Sequence, residues 1–208
     1  MFANKSILHV FSVLPVVVML IGSAAFPTNV RAASTITVNS TADNTTTDGF
    51  CTLREAITNA NNNAATYSEC IAGSGNDMII FDSSLGTATI TLASTLTEIN
   101  DSAGLTIDGD NRITLSGSDS VRVLYVTGGA LLTLQNISVT HGSASSGGGL
   151  FNANGTVSIT HSTFSSNNST SDGGGVGNSA TLTITNSTFS NNSANAGGGG
   201  VDNSDGGT

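Results

Sequence analysis

A unit of 25 residues recurs along the second half of this chain, and that period limits the folds open to it more than any other feature. TVSITHSTFSSNNSTSDGGGVGN (Thr156 to Asn178) and TLTITNSTFSNNSANAGGGGVDN (Thr181 to Asn203) match at an offset of 25: Ile159 with Ile184, Phe164 with Phe189, Gly174 with Gly199, Val176 with Val201. A more divergent copy places Leu132, Leu134, Val139 and Gly149 the same 25 residues before Val157, Ile159, Phe164 and Gly174, which predicts three copies in register without a gap. Alternation such as Leu182-Thr183-Ile184 has the period of a strand with one buried face. The Asn/Ser and Gly runs between strands supply positive-φ turns at low steric cost. The unit contains no helical segment, no leucine-rich Leu/Asn spacing and no Trp-Asp pair. It therefore reads as one coil of a parallel β-solenoid.

Coils stacked at about 4.8 Å set each residue over its counterpart one period away. Val139, Phe164 and Phe189 then form an apolar ladder inside, and Asn136, His161 and Asn186 form a polar stack at a turn. In this reading His161 takes the place of an asparagine in its stack and is not catalytic. His141 falls over Ser166 and Asn191, with no carboxylate or nucleophile at a matching position. Upstream, TATITLASTLTEI, GLTIDGDNRITLSG and VRVLYVTGG keep the strand-and-turn rhythm with looser spacing. From about Asp77, roughly five coils fit the remaining length.

Charged residues are only 9% of the chain, which could signal disorder, but 38% hydrophobic residues in regular alternation argue against it. Lys5, the apolar run Ile7 to Phe26 and the small residues Ser23-x-Ala25 or Val30-x-Ala32 read as an export signal over residues 1–32. Downstream of it no second apolar run offers a transmembrane helix. Without Lys5 and Arg31, Arg54, Arg112 and Arg122 face 14 acids, a balance of 3 − 14 = −11. So acidic a surface repels phosphate backbones and excludes nucleic acid as a partner.

Residues 33–76 form an expected N-terminal cap, with coils over 77–208. In CTLREAI, Thr52 followed by Glu55 has the form of a capping box at a helix start. Leu53, Ala56, Ile57 and Ala60 then define one apolar face. Such a helix would cover the unpaired edges and apolar cross-section of the first coil. Arg54 has no obvious partner acid. An exported chain with two cysteines, Cys51 and Cys70, predicts a disulfide; closing a loop of about 20 residues would contribute roughly 3 kcal/mol.

CTLREAI resembles the start of the bacterial CSLREAI domain, with Thr52 where that family usually has Ser. The segments NDMIIFDSSL and GLTIDGDNRITLSG resemble those that follow it. GGGL, GGGV and GGGG, with FSSN (Phe164 to Asn167) and FSNN (Phe189 to Asn192), are similar to the GGA[ILV] and FxxN repeats of chlamydial polymorphic outer-membrane proteins, with glycine replacing the alanine. The resemblance implies an all-β fold: a single-stranded, right-handed parallel β-helix of the pectate-lyase-like kind with a short N-terminal capping helix. It implies an exported protein, secreted or on the cell surface or outer membrane, and it carries no catalytic motif. The chain stops in mid-coil at GGGGVDNSDGGT, which reads as a fragment whose exposed last coil would associate end to end.

Two functions follow as expectations. A structural or adhesive surface protein would use flat Ser/Thr/Asn faces for many weak contacts with extracellular glycans or with host or cell-surface components. A polysaccharide lyase or hydrolase would need clustered carboxylates with a nearby Arg or Lys, or paired acids. The nearest set is Asp108, Asp110 and Arg112 in IDGDNR, with Asp101 before and Arg122 after. A Gly-Asp-Asn run between strands is also an ordinary turn. No catalytic residue and no cofactor is assigned; Asp108 and Asp110 are the candidates for a structural calcium ion.

Overall fold

The computed structural model describes residues 32–204 and 206–208. The expected export signal, Ala32 excepted, lies outside them. The chain is a right-handed parallel β-helix with one short helix at its N-terminal end. Sheet A runs in the order Thr35–Val38, Asp77–Phe81, Leu105–Asp108, Leu131–Gln135, Thr156–Thr160, Thr181–Thr185. Each strand after the first opens one coil, which makes five coils. Sheet B stacks Ala88–Thr91, Ile113–Ser116, Ser138–Thr140, Thr163–Ser165 and Thr188–Ser190. Sheet C stacks Leu124–Val126, Leu150–Asn152, Val176–Asn178 and Val201–Asn203, and the short sheet D joins Ser143–Ala144, Asn168–Ser169 and Ser193–Ala194. All ladder pairs in these sheets are parallel.

Alternation puts every second residue inside, and parallel register puts like over like. Sheet A contributes the column Ile36, Ile79, Ile107, Leu134, Ile159, Ile184. Sheet B contributes Ile90, Leu115, Val139, Phe164, Phe189, so the expected ladder of Val139, Phe164 and Phe189 extends two coils further back. The Phe164 and Phe189 rings stack at 5.2 Å between centroids and 12° between planes. Burying one such side chain contributes about 1.5–3 kcal/mol.

Around the glycine run the register departs from the expected offset of 25. Leu150 lies against Val176 rather than one residue earlier, and Gly149 donates to the Gly174 carbonyl, which sets it opposite Gly175 and not Gly174. Ser171 donates to the Ser145 carbonyl while Gly147 donates to that of Asp172, so Asp172 is an extra residue bulged out of the corner. The sheet C to sheet A corner is one residue shorter in the same coil, which restores the period at Thr156 and Thr181. The glycine run hides this slip in the sequence. Its glycines answer to close packing: a Cβ on Gly174 would lie 2.2 Å from the Ser193 carbonyl oxygen.

At the N-terminal end, helix α1 (Leu53–Asn62) is capped by Thr52, and both reciprocal bonds of a capping box with Glu55 are present. Leu53, Ala56, Ile57 and Ala60 are fully buried and the helix packs against the first two strands of sheet A. Cys51 and Cys70 form a disulfide with a Cα–Cα distance of 4.9 Å. Buried Asn59 ties the helix to that loop, donating to the Tyr67 and Cys70 carbonyls and accepting from the Tyr67 N–H. Arg54 does have a partner acid: it pairs with Asp43 at 2.8 Å and donates to the Ser94 and Thr95 carbonyls. It thereby fastens the cap to the loop after the second strand of the first coil. Among the described residues no helix is long and apolar enough to cross a membrane.

Candidate functional site

The outward positions of sheet B carry one chemistry throughout. Thr89, Thr114, Ser138, Thr163 and Thr188 stack in one column, and Thr91, Ser116, Thr140, Ser165 and Ser190 in a second. All ten positions are hydroxyls, repeating at about 4.8 Å along the helix axis and about 6.6 Å between columns. Sheet C belongs to the same serine- and threonine-rich chain, yet its matching outward column is Tyr125, Phe151, Gly177, Asp202. Serine and threonine richness alone therefore does not produce the sheet B pattern.

Where sheet A turns into sheet B, Asn136, His161 and Asn186 stack as expected, each at positive φ (53°, 48°, 50°). The left-handed region is one that Asn and His enter more readily than most residues. His161 Nε2 meets Asn186 Nδ2 at 3.2 Å. The corner encloses a cleft of about 200 Å³ lined by Asn111, Asn136, Ile137, Ser138, His161 and Thr163. At the far edge of sheet B, Thr140 donates to the Ser165 carbonyl, so its oxygen accepts from His141 Nδ1 at 2.8 Å. His141 is thus held within the corner stack.

The other residues singled out by sequence occupy three different corners. Asp108, Asp110 and Arg112 share the corner between sheets A and B. Asp108 accepts from Asn136 Nδ2, Gln135 Nε2 and the Asp110 N–H. Burial pushes its carboxyl up, but these three bonds outweigh burial and hold it below its ordinary value. Asp110 pairs with Arg112 at 2.8 Å, and Arg112 also donates to the Gly86 and Phe81 carbonyls of the previous coil. Asp101 lies in the corner leading from the first coil back to sheet A. Burial there, against a bond from the Ala103 N–H and with Asp77 close by, raises its carboxyl. Arg122 lies on the approach to sheet C, bonded to the Ser146 carbonyl, with its guanidinium 5.2 Å from both the Tyr125 and the Phe151 ring centroids. The two rings stack at 5.9 Å, and burial lowers the Arg122 pKa. Among the described residues no three or more His, Cys, Asp or Glu side chains gather as a metal cluster.

Two buried amide ladders escape a reading from composition. Asn152 donates to Asn178 and Asn178 to Asn203, at 2.7 and 2.6 Å. Asn167, the last residue of FSSN, accepts from the Gly142 N–H and donates to the Val139 carbonyl and to Asn192. The signal for them in the sequence is recurrence of Asn at the coil period, for Asn167 with Asn192 and Asn178 with Asn203, and one residue beyond it for Asn152 with Asn178. No family model matches the chain, and no curated protein or solved structure matches it.

Proposed function

We propose that this chain is an exported β-helix protein, secreted or displayed at the cell surface, that binds extracellular polysaccharide or a cell-surface component through many weak polar contacts. The observation carrying this reading is the unbroken pair of hydroxyl columns on sheet B, in register over five coils. A polymer of sugars offers hydroxyls at regular intervals, and a row of fixed hydroxyls answers it one weak bond at a time. The Cys51–Cys70 disulfide is consistent with an oxidising compartment. The resemblance of CTLREAI and the glycine repeats to exported bacterial β-helix proteins supports the same reading. End-to-end association through the last coil belongs to it as well.

The test is a glycan-array screen of the chain, run beside a release assay on acidic polysaccharides with and without Ca²⁺. Saturable binding without product supports the adhesive reading. Unsaturated or reducing-end product, lost on Arg112→Ala, would overturn it in favour of lyase or hydrolase chemistry at Asp108, Asp110 and Arg112.

A further inference from the structure

We propose that the cleft between sheets A and B is a subsite for one neutral sugar unit of a polysaccharide lying along the helix axis; this rests on the glycan-binding reading. At the cleft the hydroxyl-bearing side turns concave. The cleft draws on three successive coils: Asn111 from the second, Asn136, Ile137 and Ser138 from the third, His161 and Thr163 from the fourth. Its volume of about 200 Å³ is of the size of one sugar ring.

The lining is polar and positioned before any ligand arrives. Asp108 Oδ1 takes the Asn136 amide hydrogen at 3.0 Å, which fixes that side chain and leaves its carbonyl oxygen as an acceptor. Asn186 Nδ2 donates to His161 Nε2, which assigns the remaining imidazole hydrogen to Nδ1 as a donor. Among the described residues, the Ser138 and Thr163 hydroxyls engage no protein group and serve as either donor or acceptor. Donors and acceptors thus alternate over a short span, the pattern a ring of vicinal hydroxyls requires. A few convergent polar groups in a concavity are the usual make-up of a small-ligand site.

Charge selects the class of sugar. None of the six lining residues is Asp, Glu, Lys or Arg. The neighbouring Asp110 is neutralised by Arg112, while Asp108 keeps its negative charge. A uronic acid or sulfated sugar would meet that charge with no cation in the cleft to offset it. A neutral hexose or pentose unit meets only hydrogen-bonding groups.

The experiment is a titration of the intact, disulfide-bonded chain with neutral hexasaccharides of β-1,4-linked glucose, xylose and mannose, followed by amide chemical shifts and calorimetry. Saturable shifts should centre on Ser138, His161 and Thr163 for at least one of the sugars. His161→Asn, which makes this coil like its neighbours and so preserves the fold, should weaken binding about fivefold, the factor for one hydrogen bond. Thr163→Ala should do the same, and Thr188→Ala, in the same column one coil beyond the cleft, should weaken binding less, since it removes one open-face contact and leaves the cleft intact. Affinity should be flat between low and high salt, since no ion pair forms. Shifts centred elsewhere, for instance at Tyr125 and Phe151, or binding confined to acidic glycans, would overturn the subsite and leave glycan binding standing. Failure of every glycan, neutral and acidic, to bind would overturn both.

Discussion

Between Cys51 and Cys70 each stabilising contact occurs once, whereas between Leu131 and Asn203 nearly every contact recurs in the next coil. The cap depends on one disulfide, one capping box and one Arg54–Asp43 pair. The coils depend on columns: Phe164 over Phe189, Asn152 over Asn178 over Asn203, Asn167 over Asn192. The difference explains the odd distribution of charge. From Leu131 to Asn203 the sequence holds just two charged side chains, Asp172 and Asp202. In a parallel stack a repeated charge faces its own copy about 4.8 Å away, and like charges directly opposite are destabilising. Amides and hydroxyls carry no net charge, so their copies stack without repulsion, and amides, being both donor and acceptor, bond to their own copies, as Asn152, Asn178 and Asn203 do. Charge is tolerated at the cap because nothing there has to stack upon itself.

This contrast makes the two regions respond differently to mutation. The largest effect is expected in the apolar column: Phe164→Ala should cost about 3–5 kcal/mol in urea unfolding, since the cavity opens against Val139 on one side and Phe189 on the other. Next comes the cap, where Cys51→Ser with Cys70→Ser should cost about 3 kcal/mol. Hydrogen exchange should then accelerate in residues 33–76 first and leave the last three coils protected. Equal acceleration throughout would mean that cap and coils are one cooperative unit and do not differ in this way.

A smaller loss is expected at the amide ladder. Asn167→Ala leaves the buried Gly142 N–H without its acceptor at 2.8 Å and should cost about 1–3 kcal/mol. The smallest effects are electrostatic, and they have opposite signs in the two regions. Asp101, at the junction with the cap, has its carboxyl raised by burial. The folded chain therefore holds that proton longer than the unfolded one, and its contribution is lost as pH rises from about 3.9 through the folded value. Asp101→Asn should gain on the parent in thermal melts as pH rises from 4 to 7. Asp108 has its carboxyl lowered by hydrogen bonds that outweigh burial, so its contribution is present above about 3.9 and lost as pH falls through the folded value. Asp108→Asn should lose ground at neutral pH and recover it in acid.

The repeated region could be read from sequence far better than the single contacts. Phe164 over Phe189 follows from a fixed offset, and the capping box from Thr52 and Glu55 alone, because its two bonds span three residues. Arg54 with Asp43 could not be anticipated: the two lie 11 residues apart in non-repeating chain, and only the folded loop brings them together. The bulge at Asp172 was masked by a glycine run that aligns equally well one residue out. Asn167 and Asn178 look like turn residues in an asparagine-rich chain, though both are buried. The cleft was invisible for a related reason: Asn136 and His161 follow from the 25-residue offset, but Asn111 joins them from a coil whose pairings depart from that offset on both sheets.

The central claim is that function, like stability, accrues coil by coil on the hydroxyl face. Removing Thr156–Ala180 joins Gly155 to Thr181 in the register those coils already share, and calorimetric titration of intact and shortened chains with the polysaccharide found in the screen tests it. The account predicts a folded, shorter helix whose affinity falls by a moderate factor and whose binding enthalpy falls in proportion to the hydroxyl rows removed. Unchanged binding, or its complete loss in a chain that still folds, would contradict it.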